Sequence, residues 1–168
     1  MNHKDRVGLA LIGIGSWSGV IANAVERSKK AKMVTCYTRN AGKREAFSRK
    51  YGCDQEMSFE DVLKRDDVDG ILLTTPNAIH AEHTVLAAQK GKHVFVDKPI
   101  ANTLADGEKM VAACDKAGVV LLVGHDMRRL SGFRTGKHPR SNRRAHRRRV
   151  RRSLHLPPRA AIPVATTC

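Results

Sequence analysis

No acidic residue follows Asp126. Residues 127–168 carry 13 Lys and Arg with no Asp or Glu, whereas residues 1–126 carry 18 Lys and Arg against 16 Asp and Glu. The formal net charge of +15 therefore divides into +2 and +13. This excludes a protein that is basic throughout. The first part has the balance of a globular domain; the second is a block of like charge with little apolar material to bury. The type of base changes as well, from 12 Lys and 6 Arg to 1 Lys and 12 Arg.

Other absences narrow the reading further. No Phe, Tyr or Trp follows Phe133, so the basic segment has nothing to stack on bases. Any nucleic-acid binding there would be electrostatic and nonspecific. The four cysteines (Cys36, Cys53, Cys114 and Cys168) form no C-x-x-C pair and show no metal-ligand spacing. They suit free thiols in a reducing, cytoplasmic setting, and no metal site is expected. No apolar run approaches the roughly 18 residues of a membrane span. Lys4, Arg6, Val7–Ile14 and Ala22-Asn23-Ala24 imitate a secretory leader, but the run is short and glycine-broken. No internal repeat is visible.

What is present alternates. At 168 residues the chain is one ordinary domain, or one domain and a tail. Short apolar runs at Val7–Ile12, Met33–Tyr37, Ile71–Thr74, His93–Val96 and Val119–Val123 suit buried parallel strands, with a weak one at 53–57. Helical patterns lie between them. Trp17–Lys29 places Val20, Ile21, Ala24 and Val25 on one face. Gly42–Tyr51 ends at Gly52, and Ser58 opens a helix to Arg65 with Asp61 in capping-box position. Asn77 is expected to cap Ala78–Lys90, and Thr103 a helix to Lys116 that stops at Gly118. Short strands joined by helices of about ten residues predict a doubly wound parallel α/β sheet over residues 5–125. After Gly132 the periodicity ceases, and residues 126–168 are expected to form a disordered basic tail.

The strand Val7–Ile12 runs into Gly13-Ile14-Gly15-Ser16-Trp17-Ser18-Gly19 and then a helix. That order is the context a dinucleotide fingerprint needs. Gly13 permits the tight turn and Gly15 a close approach to pyrophosphate. Ser18 takes the small third position, and Ser16 and Trp17 complete the loop. Backbone N–H groups at the helix start then meet the phosphate charge. An NAD site usually has Asp or Glu at the end of the next strand. Here that end reads Tyr37-Thr38-Arg39-Asn40, followed by Lys43 and Arg44. Thr38, Arg39 and Lys43 suit a 2′-phosphate, which favours NADP, with NAD as the second choice.

These residues, with AFSRKYG at 46–52, TTPNAIHAE at 74–82, GKHVFVDKP at 91–99 and GHDMRR at 124–129, resemble the Gfo/Idh/MocA family of NAD(P)-dependent oxidoreductases. The resemblance covers residues 6–134 and implies a Rossmann nucleotide-binding domain. It implies that Thr74, Thr75, Pro76, Asn77 and His80 line the cofactor. Asp97-Lys98-Pro99 falls on the family's Glu-Lys-Pro motif, with Asp in place of Glu. The resemblance thus places Lys98 near the nicotinamide ribose and substrate hydroxyl as the candidate catalytic residue, and His125 on the substrate side. The implied activity is hydride transfer between the nicotinamide and a sugar- or polyol-type hydroxyl.

The family also has a second domain carrying a catalytic His preceded by an Asp. The tail has His138, His146 and His155 but no carboxylate to pair with them. The change after Arg134 reads as a reading-frame slip leaving a truncated, unselected tail. A genuine basic extension is the rival reading. This chain is therefore expected to bind cofactor without turnover, with its oligomer interface lost. The alternatives are a nucleotide-sensing or regulatory protein and a nucleic-acid binder acting through the tail.

Overall fold

The computed structural model describes residues 6–125; the basic segment and the expectations placed on residues 126–168 lie outside them. The described chain runs β1 (Val7–Ile12), α1 (Ser18–Glu26), β2 (Ala31–Tyr37), α2 (Ala41–Tyr51), β3 (Asp54–Gln55), α3 (Phe59–Lys64) and β4 (Gly70–Leu73). A 3-10 turn (Asn77–Ile79), α4 (His80–Gln89), β5 (His93–Asp97), α5 (Leu104–Ala117) and β6 (Leu121–Gly124) follow. All six strands are parallel, in the order β3-β2-β1-β4-β5-β6. The predicted doubly wound α/β sheet is the observed fold. The chain starts at the centre, works outward to β3, returns to β4 beside β1 and works outward the other way.

Strand alternation divides the core between the two faces. Ala10, Ile12, Ile71, Leu73, Val94 and Val96 pack with Phe59, Val62 and Leu63 of α3, Ala87 of α4 and Met110 of α5. Leu11, Cys36 and Leu72 point the other way, to Ala22 and Val25 of α1 and Phe47 of α2. Every residue of β4 is buried, as a central parallel strand with both faces covered requires.

Local signals place several helix ends. Ser58 Oγ accepts from the Asp61 N–H and Thr103 Oγ1 from the Asp106 N–H. Both hydroxyls also donate to the paired carboxylate, at 2.7 Å each. Each such cap is worth about 1 kcal/mol. Arg65 links the two-residue β3 to the rest of the fold. Its guanidinium pairs with Asp54 beside Glu56 and Asp67, each at 2.8 Å, and so ties the edge strand to the turn before β4.

Two expectations are corrected. Val20 and Ala24 do not join the buried face of α1: Val20 is 47% exposed, and Ser18, Ala22 and Val25 are buried instead. The shorter helix, starting at Ser18, turns that face toward the sheet. Asn77 does not cap α4. The chain makes a 3-10 turn over Asn77–Ile79 before the α-helix begins at His80, and no side chain caps either start.

Candidate functional site

The carboxyl ends of β1, β2 and β4 meet where the strand order reverses, the place where open α/β sheets bind ligands. Gly13 ends β1 with φ +88°, and a Cβ there would lie 2.8 Å from Thr75 Cγ2 and 2.9 Å from the Thr74 carbonyl oxygen. Both the left-handed backbone and the contact demand glycine. The turn is pinned from two sides: the Gly13 N–H donates to Tyr37 O at 2.9 Å, and the Thr74 hydroxyl donates to Gly13 O.

Gly15 differs. A Cβ on it would meet no atom within 4 Å. No contact within the described protein requires glycine there, whereas a ligand drawn against the backbone would. Ser18 is buried at the third position, and its hydroxyl donates to Gly15 O at 2.6 Å, fixing the loop's curvature. Trp17 stands at the N-cap of α1 without capping it, and the first turn contains no acid. The helix start is thus free of the usual side-chain partners and suited to an anion.

A cleft of about 410 Å³ opens beside this loop, lined by Gly13, Thr38, Arg39, Thr75, Pro76 and His83 among others. Its size falls within the range of small-molecule sites. Thr75 Oγ1 is buried and has no hydrogen-bond partner. A buried hydroxyl left bare is costly, and a cofactor seated in the cleft could satisfy it. Together with the open face of Gly15, this orphan shows that the residues present fit a dinucleotide.

The three basic residues after β2 are separated by the fold. Arg39 is exposed and lines the cleft. Lys43 lines a second groove of about 420 Å³ with Gly15, Ser16, Ser18 and Lys50, on the α2 side of the loop. Arg44 is buried: its Nη1 donates to Thr38 O at 2.8 Å, and its Nε to Gln55 Oε1 at 3.3 Å. It braces the turn that presents Thr38 and Arg39.

His80 is completely buried. One ring nitrogen lies 2.9 Å from Thr75 O and the other 3.0 Å from Pro99 O. The ring therefore spans the loops after β4 and β5 and has no exposed surface. Pro76 and Asn77 are exposed at the loop's rim. Farther along the carboxyl edge, β5 and β6 pair Asp97 with Gly124. Lys98 and His125 each follow one of these paired residues, and both are exposed. Asp97 Oδ1 accepts from the Lys98 N–H at 2.7 Å.

Six cleft residues lie outside the site read from the sequence: Ile12 and Tyr37 at the ends of β1 and β2, Phe59 and Glu60 from α3, Ile79, and His83 from α4. Phe59 and His83 stack with centroids 4.2 Å apart. Burial holds the His83 imidazole below the ordinary histidine range, although the nearby Glu82 and Glu60 carboxylates oppose that shift. Ile79 falls within the TTPNAIHAE stretch, whereas no motif marks Phe59, Glu60 or His83, whose only signal is helical spacing.

Strand order, glycine turn and switch-point cleft define a dinucleotide-binding Rossmann domain. Residues 7–125 match the family model described as Gfo/Idh/MocA oxidoreductases, NAD-binding Rossmann fold, and the chain belongs to that family. It is 30% identical over 131 residues to 2,7-anhydro-N-acetylneuraminate hydratase of Mediterraneibacter gnavus, covering 78% of this chain and 34% of that protein. A Desulfitobacterium hafniense oxidoreductase described as NADPH-dependent is 40% identical, with TM-score 0.76 over 79% of this chain and 38% of that one. The WlbA dehydrogenase of Bordetella pertussis, solved with NADH and UDP-GlcNAcA, is 31% identical, with TM-score 0.72 over 75% and 37% of the two chains. The chain thus spans little more than a third of the length of these relatives.

Proposed function

We propose that the chain binds NADP(H) in preference to NAD(H). The observation that carries this reading is Arg39, exposed at the cleft beside Thr38, at a strand end that offers no carboxylate. Guanidinium matches phosphate geometry and charge, and a ribose 2′-hydroxyl lacks the carboxylate that usually holds it. Gly13, Gly15, Ser16, Trp17 and Ser18 cradle the pyrophosphate. Lys43 adds positive charge from the neighbouring groove. Thr75, Pro76 and Asn77 form the far wall, while Thr74 and His80 hold that wall in place. The description of the Desulfitobacterium relative as NADPH-dependent agrees, whereas the NADH in WlbA makes NAD(H) the second choice.

The bound nicotinamide supplies or accepts hydride. Within the whole family protein, the partner substrate is a sugar- or polyol-type hydroxyl, a class to which the sugar nucleotide in WlbA belongs. Lys98 orients the nicotinamide ribose and polarises that hydroxyl, with His125 toward the substrate side. In this chain both are exposed. The chain is therefore expected to bind cofactor without oxidising sugars or polyols; sustained NADPH formation from such a substrate would overturn this. Residues 5–125 constitute the binding domain in this reading, with 126–168 as a separate segment.

Trp17, the single tryptophan, reports binding from within the phosphate loop. Titration by fluorescence quenching should show tighter binding of NADPH than of NADH. Arg39→Ala should weaken NADPH by about tenfold, consistent with one lost charge-assisted contact, and leave NADH within about twofold. Equal affinities in the parent chain would refute the 2′-phosphate reading.

A further inference from the structure

Arg44, on α2, is 6% exposed, yet every acceptor it reaches is neutral. Its Nη1 donates to Thr38 O at 2.8 Å, its Nε to Gln55 Oε1 at 3.3 Å and its Nη2 to Met57 Sδ at 3.2 Å. The carboxylates nearest in sequence are engaged elsewhere. Asp54 and Glu56, on either side of Gln55, both pair with Arg65, and Glu45 pairs with Arg49. Glu60, the carboxylate of the cleft lining, makes no ion pair with Arg44 either. Among the described residues the buried guanidinium therefore has no opposite charge. Taking a cation out of water is costly, and buried charges are ordinarily paired for that reason. A guanidinium cannot escape the cost by giving up its proton.

The place of this charge gives it a use. It is held against the carbonyl of Thr38, and Thr38 and Arg39 line the cleft. An anion seated at that turn would supply the missing opposite charge. The intervening protein holds little water, so the attraction reaches farther than it would in solution. We propose that Arg44 is a specificity-determining residue, whose buried charge favours a 2′-phosphate at Thr38 and Arg39 without touching it. The inference rests on the NADP(H) reading above and adds a second cation to that site. Arg39 acts there by contact, Arg44 by its field.

The test measures NADPH and NADH affinities side by side on the full 168-residue chain, by Trp17 quenching or calorimetry. Gln55→Glu is the mildest probe. Gln55 is exposed, and the change is isosteric and puts a carboxylate where Arg44 Nε already donates. It should lower the ratio of NADPH to NADH affinity by about threefold while the Arg44 contacts persist. Arg44→Met keeps an unbranched apolar stem but removes the charge, and the ratio should fall by about fivefold. Arg44→Lys keeps the charge and should hold the ratio within about twofold of the parent. Loss of a brace alone would weaken both cofactors alike and leave the ratio as it was. A ratio unchanged by Gln55→Glu or by Arg44→Met overturns the proposal and leaves the NADP(H) reading standing. So does an Arg44→Lys ratio as low as that of Arg44→Met. Equal affinities for NADPH and NADH in the parent chain would overturn both.

Discussion

The two stretches of the carboxyl edge differ in how far this chain encloses them. Around β2, β1 and β4, walls come from the glycine turn, the β2–α2 turn, α3 and α4, and they surround about 410 Å³. At β5 and β6, Lys98 and His125 stand exposed beyond their strand ends. Binding needs concavity and a few fixed polar groups, which one sheet and its own helices can supply. Hydride chemistry needs water excluded around the reacting atoms, which exposed side chains on an open edge do not achieve. Within the described residues, the binding half of the site is thus built to a greater degree than the reacting half.

Substitutions at the glycine turn test this difference most severely. Gly13→Ala would force a side chain into a left-handed backbone and against Thr75 and the Thr74 carbonyl. It should lower stability by about 3 kcal/mol in urea denaturation, combining backbone strain and overpacking, and abolish cofactor binding. Gly15→Ala meets no protein atom. Its stability should stay within about 0.5 kcal/mol of the parent, while cofactor affinity falls by about tenfold because the methyl occupies the ligand's space. If Gly15→Ala instead lost stability and kept its affinity, the loop would be a structural turn and not a phosphate cradle.

Acidification should act on the enclosed end alone, and more mildly. Burial holds His83 below its ordinary value of about 6.5, so the unfolded chain takes up the proton first. The stability associated with the neutral ring is therefore complete above that value and is lost as pH falls through the depressed native value. Glu82 and Glu60 reduce the shift, and His80 adds to it. Denaturation at pH 7 and pH 5 should show a decline in stability that His83→Phe diminishes. The smallest effect belongs to the open end. Lys98→Ala should leave stability within about 0.5 kcal/mol, since an exposed side chain contributes little to the fold, and should weaken NADPH binding by only about threefold through the lost contact to the nicotinamide ribose. An NADPH affinity unchanged in that variant would remove Lys98 from the cofactor site.

The elements most legible in the sequence are those whose causes lie within a few residues. Val7–Ile12 is apolar because helices cover both faces of this central strand, and its bounds are as read. Ser58 and Thr103 announce helix starts because each cap is a bond to a residue three positions on. Asn77 carried the same local signal and misled, because the chain there first makes a 3-10 turn. Val20 misled because helical spacing identifies a face without saying where the helix begins or which way that face turns.

Charge shows the limit more sharply. Arg39 and Arg44 sit in one basic stretch after β2, and spacing favours Arg39 for the cofactor without giving the environment of either. One is exposed at the cleft, whereas the other is 6% exposed and hydrogen-bonded to Thr38, Gln55 and Met57. His80 and His83 divide in the same way, the first spanning two loops and the second lining the cleft. The sequence by itself determined the alternation of strand and helix, the parallel class, the glycine turn and the family, since each rests on short-range stereochemistry or a motif. The tertiary structure alone decided which basic residue faces the cleft, which histidine braces it, and that Phe59, Glu60 and His83 complete it. Those roles depend on side chains brought together from separate turns and helices of the fold, a proximity that no local spacing encodes.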